Sequence, residues 1–207
     1  QEQVMSAAKR AAASPAPATF AGFPADAFEF YEQLEADNSK LWWQANKGRY
    51  DASVKAPMAA LAAALDEPFG PFHIFRPYVD VRFAKGKPPY KTHIGAYGES
   101  EGGAGFYVQL SAAGLMAATG YYAMASDQLE RFREAVDDEA RGAEIAKLVK
   151  AAERKGYSIG AIAALKTAPR GFPKDHPRIE LLRRKGLMGS MTWAPTAWMH
   201  TAKAKDH

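Results

Sequence analysis

A chain of 207 residues that is 47% hydrophobic and 12% aromatic can bury one substantial core. Its 27 Lys plus Arg against 23 Asp plus Glu leave a net charge of +4, too mild by itself to mark a nucleic-acid binder. The absence of cysteine excludes disulfides, thiolate metal sites and a cysteine nucleophile. With neither the ~20-residue apolar run of a membrane span nor the apolar core of a signal peptide, the expectation is a soluble, cytoplasmic protein that makes no membrane contact.

Gln1 to Thr19 is rich in Ala, Pro and Ser and lacks apolar periodicity, so it reads as a flexible arm ahead of a single globular domain over 20–207. Pro24-Ala25-Asp26 opens a helix that carries Phe28, Tyr31 and Leu34 at helical spacing. Asn38-Ser39 caps a second helical stretch that runs to Leu65, broken near Gly48 and bent or restarted at Pro57. Between Pro71 and Ala123 the period changes to two. Strands are predicted over Phe72–Phe83, Thr92–Tyr97, Phe106–Leu110 and Leu115–Tyr122, with short Gly-rich connections that suit antiparallel neighbours. Ser126 then caps a helix through Asp137, and Ala143 to Lys155 forms another. The fold class is therefore α+β, an antiparallel β-sheet at about residues 72–122 packed against N-terminal and C-terminal helices.

The run from Arg76 to Phe83 carries charge where a core strand should have none. Alternation places Phe75, Pro77, Val79, Val81 and Phe83 on the core side and Arg76, Tyr78, Asp80 and Arg82 on the other. Tyr107, Gln109 and Ser111 divide in the same way from Phe106, Val108 and Leu110, and Lys91 and His93 can join them from a third strand. These groups, with Lys87 and Tyr90, would line a basic concavity suited to carboxylate or phosphate. Asp80 could hold the arginines in place, and Asp80 and His93 are the candidate proton-transfer groups. The competing reading is an ion-pair ladder on a solvated sheet face. The loop from Ala84 to Tyr90 lacks the glycine pattern and Ser/Thr of a phosphate-binding loop.

A second basic segment, Lys166 to Arg178, holds three prolines and a glycine and reads as a rigid turn in which Asp175 caps a helix starting at Pro177. Lys166, Arg170, His176 and Arg178 are candidate ligand contacts from it, His176 having a structural hydrogen-bonding role as its alternative. Of Trp42 and Trp43, ~100° apart on a helix, one belongs in the core and the other can border a groove. The five histidines have no metal-ligand spacing and neither a GxSxG nor a GxGxxG motif occurs, so no metal and no cofactor is expected.

Several segments taken together resemble the bacterial and fungal family called domain of unknown function 2461: Phe20 to Pro24, Asn38-Ser39-Lys40 with Trp42-Trp43, Phe75 to Phe83, Lys87 with Pro89 to His93, Tyr107 to Ser111, and Leu165 to Arg178. The family signature falls on Arg76, Asp80, Arg82, Phe83, Lys87 and Tyr90. Val79 stands where the family usually has arginine, and Gly86 where it has Asp or Asn. The resemblance implies a fold and a site location but no activity. Two readings follow: a protein that holds a small phosphorylated or carboxylated ligand, whether or not it acts on it, and a module that binds nucleic acid or a protein partner through the same basic and aromatic face.

Overall fold

The protein was analysed as a computed structural model that describes residues 19–80, 86–100 and 102–207. Val81, Arg82 and Phe83 of the predicted strand and residues 1–18 lie outside the described residues. Helix α1 (Ala25–Ala36) buries Phe28, Phe30, Tyr31 and Leu34. Helix α2 (Lys40–Arg49) is capped by Ser39, whose Oγ accepts from the Trp42 amide at 3.1 Å. The break expected near Gly48 is absent. The chain instead continues through one wide π-helical stretch, Tyr50–Lys55, into α3 (Ala56–Phe69) without leaving helical dihedrals. This stretch buries Tyr50 and Val54, and the Tyr50 ring packs 4.9 Å from Trp43 and 5.7 Å from Phe30. Gly48 does not end a helix because one glycine costs only about 1 kcal/mol there, which aromatic packing of this kind readily offsets.

The sheet has six antiparallel strands in the order β1 (His73–Ile74), β2 (His93–Glu99), β3 (Gly105–Ser111), β4 (Gly114–Tyr121), β6 (Leu187–Trp193), β5 (Ser158–Gly160). The three long strands over 92–122 were legible from alternation and β-rich composition. The sequence reading placed the whole sheet within 72–122 and so missed β5 and β6. β6 pairs with β4 along its full length, from Leu115↔Trp193 to Tyr121↔Leu187. The first strand is also shorter than predicted, for the ladder slips after Phe75. The Phe75 amide still donates to the Gly95 carbonyl at 2.9 Å, in register with Ile74↔Ala96, but the next bridge is Tyr78↔Tyr90, so that residues 76–77 lie opposite 91–94. Pro77 has no amide to donate and restricts Arg76 before it, which is enough to break a regular ladder.

Ile94, Ala96, Val108, Leu110 and Leu115 share one face of the sheet and form the main core with Phe23, Phe30, Leu34, Trp43, Met58 and Leu61. A smaller core gathers Val136, Leu181 and Leu182 with Phe132, Ile145 and Leu187, from α4 (Ser126–Asp137), α5 (Glu139–Arg154), α6 (Ile179–Leu182) and β6. Two expected caps are corrected here. Ser126 is the first helical residue of α4, and the preceding Ala125 donates its amide to Gln128 Oε1 at 3.0 Å. Asp175 does not cap α6: the helix starts at Ile179 with Arg178 at the N-cap position and no side-chain cap, and His176 holds the turn before it, its Nδ1 accepting from the Arg178 amide and its carbonyl from the Ile179 amide, both at 3.0 Å. Helix α5 begins earlier than expected because Asp138 Oδ1 accepts from the Arg141 amide at 2.8 Å. No helix among the described residues is long and apolar enough to cross a membrane.

Candidate functional site

On the sheet face opposite the main core, register brings together His93 with Ser111, Gly95 with Gln109, and Tyr97 with Tyr107. His93, Tyr107, Gln109 and Ser111 are half-buried. The hole at Gly95 organises this face. A Cβ there would lie 2.4 Å from the Tyr107 hydroxyl, so the Tyr107 ring leans across the glycine toward Phe75, 6.4 Å away. In this pose the Tyr107 hydroxyl donates to Gln109 Oε1 at 2.8 Å. Burial, with Tyr122 nearby, pushes the Tyr107 phenol up, so it stays a neutral donor.

Phe75 is where the reading of faces fails. It was expected in the core with Pro77 and Val79, but it is 39% exposed and lies with His73, ring centroids 5.6 Å apart. Phe75 faces outward with His73 by the ordinary alternation of β1, and the slip after it leaves Arg76 exposed as well, before alternation resumes with Pro77 and Val79 half-buried and Tyr78 and Asp80 exposed. The outward ring gives Lys91 a seat, its Nζ standing 5.4 Å from the Phe75 centroid. Two residues on, His93 opens β2. Burial first, and the Lys91 charge second, hold its imidazole below the usual 6.5. The folded state therefore binds fewer protons than the unfolded chain in the window below 6.5. His93 makes stability rise with pH through that window and fall as the solution is acidified; His93→Gln is expected to flatten the melting temperature against pH there.

Tyr90 is not a surface contact. Its side chain is buried and stacks on Trp43 at 4.2 Å and 10°. Asn38, read in the sequence only as part of a cap, grips its backbone from both sides: Nδ2 donates to the Tyr90 carbonyl at 3.0 Å and Oδ1 accepts from the Tyr90 amide at 3.1 Å. With Val79 and Lys91 amides donating to Pro89 and Pro77 carbonyls at 2.9 and 2.7 Å, this clamp sets where Lys91 leaves the loop. The motif Asn-Ser-Lys ahead of two tryptophans was the available signal, but no local pattern names a partner so far along the chain. Asn38→Ala is expected to cost about 1–3 kcal/mol. Asn38→Asp should cost at least as much, since it keeps the acceptor but sets a carboxylate against a carbonyl; chemical denaturation of both variants checks the order.

Tyr78 is 53% exposed and its ring lies 5.6 Å from that of Tyr90 and 6.2 Å from Trp43. Trp43 is the core member of the tryptophan pair, while Trp42 is half-buried against Phe30 at 5.2 Å. Arg76 and Asp80 are exposed on the segment leading to residues 81–85, and Lys87 is exposed after it. Lys166 and Arg170 are exposed on their loop. His176 and Arg178 contact the α4–α5 junction and not β2 or β3. Arg178 Nε donates to the Val136 carbonyl at 2.6 Å and Nη2 to those of Asp137 and Asp138 at 2.9 and 3.3 Å, capping the C-terminus of α4. His176 is shielded from solvent, and because Nδ1 accepts from the Arg178 amide its proton sits on Nε2, 3.2 Å from Asp137 Oδ1. Among the described residues no group of three or more His, Asp or Glu is placed to hold a metal ion.

This arrangement can bind. It offers a cation, an imidazole, a phenol, an amide and a hydroxyl on one half-desolvated surface, where polar contacts count for more than in open water. No curated protein and no solved structure matches the chain. The sequence model of the family described as a conserved hypothetical protein, DUF2461, matches residues 26–207. An α+β protein whose sheet and helices, but for the first residue of α1, fall within that match, the chain belongs to the DUF2461 family of conserved hypothetical proteins.

Proposed function

We propose that the protein holds a small phosphorylated or carboxylated ligand on the β2–β3 face. The observation that carries this reading is the convergence of Lys91 and His93 with the Tyr107–Gln109 pair across the gap at Gly95. Lys91 supplies the charge. Gln109, Ser111 and Tyr107 supply directional hydrogen bonds, and the exposed Arg76 and Lys87 are the further cations proposed for the ligand. A purely structural face has little reason to place a cation beside an imidazole that it disfavours charging. Anion binding relieves that conflict, since a negative guest stabilises both groups.

The test is thermal stability against orthophosphate, sugar phosphates, nucleotides, mono- and dicarboxylates and short oligonucleotides, for the wild type, Lys91→Met and Gly95→Ala. A small anion at a hundred times its dissociation constant should add about 2.7 kcal/mol, a rise of several degrees. Lys91→Met should abolish it. Gly95→Ala forces the Tyr107 ring aside and breaks its bond to Gln109, so it should weaken the response at least tenfold in ligand concentration. A response confined to oligonucleotides and removed by salt would replace this reading with the nucleic-acid module.

A further inference from the structure

On the opposite, helix-covered side of the sheet lies a cavity of about 380 Å³ between α3, β3, β4, β6 and the C-terminal turn Ala202–Asp206. Its volume falls in the range of small-molecule sites. Its lining is not uniform. Leu61, Val108 and Leu115 are buried, whereas Phe69, Tyr157 and Lys205 are exposed, so the cavity has an apolar floor and opens to the surface. Lys205 and His207 line it, and no acidic side chain does among the described residues.

We propose that this cavity takes a single-chain amphiphile with an anionic head, such as a medium-chain carboxylate, its alkyl chain on the Leu61–Val108–Leu115 floor and its head at Lys205. The apolar floor excludes a sugar or a nucleotide, whose hydroxyls would lose water without gaining partners. The cationic mouth selects an acid over a neutral lipid, since the head remains at the surface where a lysine meets it. The Lys91 surface is on the other face of the sheet and shares only Tyr107 with the cavity lining, so Lys91→Met and Lys205→Glu test the two sites separately.

The experiment is calorimetric titration of the 207-residue chain with octanoate, decanoate, dodecanoate and dodecanol below their aggregation limits, with the emission of Trp193, which lines the cavity, as a second readout. Each two-carbon extension should tighten the dissociation constant roughly tenfold until the cavity is full. Dodecanol should bind at least about fivefold more weakly than dodecanoate, and Lys205→Glu should weaken the acid but not the alcohol. Ala117→Leu fills the cavity from β4, and Thr119→Tyr plugs its exposed mouth without touching the core, so one can stand in should the other misfold. Loss of binding in a folded variant supports the site. A flat chain-length series, dodecanol equal to dodecanoate, or binding untouched by both variants would overturn it.

Discussion

Trp43→Ala is expected to lower stability by about 3–5 kcal/mol, a fall in melting temperature on the order of 10 °C for a chain of this size. Trp43 is 3% exposed and joins three elements: it stacks on Tyr90, packs on Tyr50 of the π-helical stretch at 4.9 Å, and meets Phe30 of α1 edge-on at 6.0 Å. Removing the indole leaves a cavity that none of those rings can close, because each is fixed by its own neighbours. Burial, with Asp51 and Tyr78 adding to it, pushes the Tyr50 phenol up to about 12, so no phenolate relieves the gap at working pH. Trp43→Phe should recover part of the loss. The clamp on Tyr90 loses its stacking partner too, so anion binding at Lys91 should weaken in Trp43→Ala even at temperatures where it remains folded. A drop of only one or two degrees would show that the aromatic cluster does not support the loop.

Gly22→Ala is the second large effect, roughly 3–5 kcal/mol from strain at its dihedral and from overpacking. Its φ is +107°, and a Cβ would lie 2.3 Å from the backbone of His200 and of Thr201. Neither strand of this crossing can yield. The Phe23 amide donates to the Met199 carbonyl at 2.8 Å, His200 Nδ1 stands 2.8 Å from the Phe23 carbonyl, and both Phe23 and Met199 are fully buried. Gly48→Ala is the control. A Cβ there meets nothing within 4 Å and the residue is helical, so a gain of about 0.5–1 kcal/mol is expected from the same chemical change. Urea denaturation of the two variants should move the midpoint in opposite directions.

Much of the fold was legible because the physics that sets it is local. β3 alternates from Tyr107 to Ser111, β2 and β4 lie in a β-rich stretch broken by Gly-rich turns, and the helices carry their apolar residues at helical spacing. β6 was not legible. Leu187, Gly189, Met191 and Trp193 face one way and Met188, Ser190 and Thr192 the other, a mixture of unbranched and small residues with little strand preference of its own; it is a strand because the edge of β4 is available to pair it. For the candidate site, the side assigned to His93, Tyr107, Gln109 and Ser111 followed from period alone. The seat of Lys91 did not, because the slip falls after Phe75, so that Phe75 keeps the outward side of His73 while Pro77 and Val79, two and four residues on, do not. His176 and Arg178 looked like ligand groups since charge and proline are visible in sequence, whereas the bare carbonyls at the end of α4 that Arg178 satisfies are not. Asn38 escaped notice for a related reason: its partner is a backbone, and backbones leave no letter in a sequence.

The most direct measurement is the titration of the His93 imidazole by NMR, in the free protein and with each small anion that raises the melting temperature. A value below 6.5 is expected in the free protein, moving upward when a phosphate or carboxylate binds beside Lys91, and moving part of the way in Lys91→Met without ligand. A free value at or above 6.5, or one indifferent to every bound anion, would contradict it and leave the β2–β3 face a structural surface.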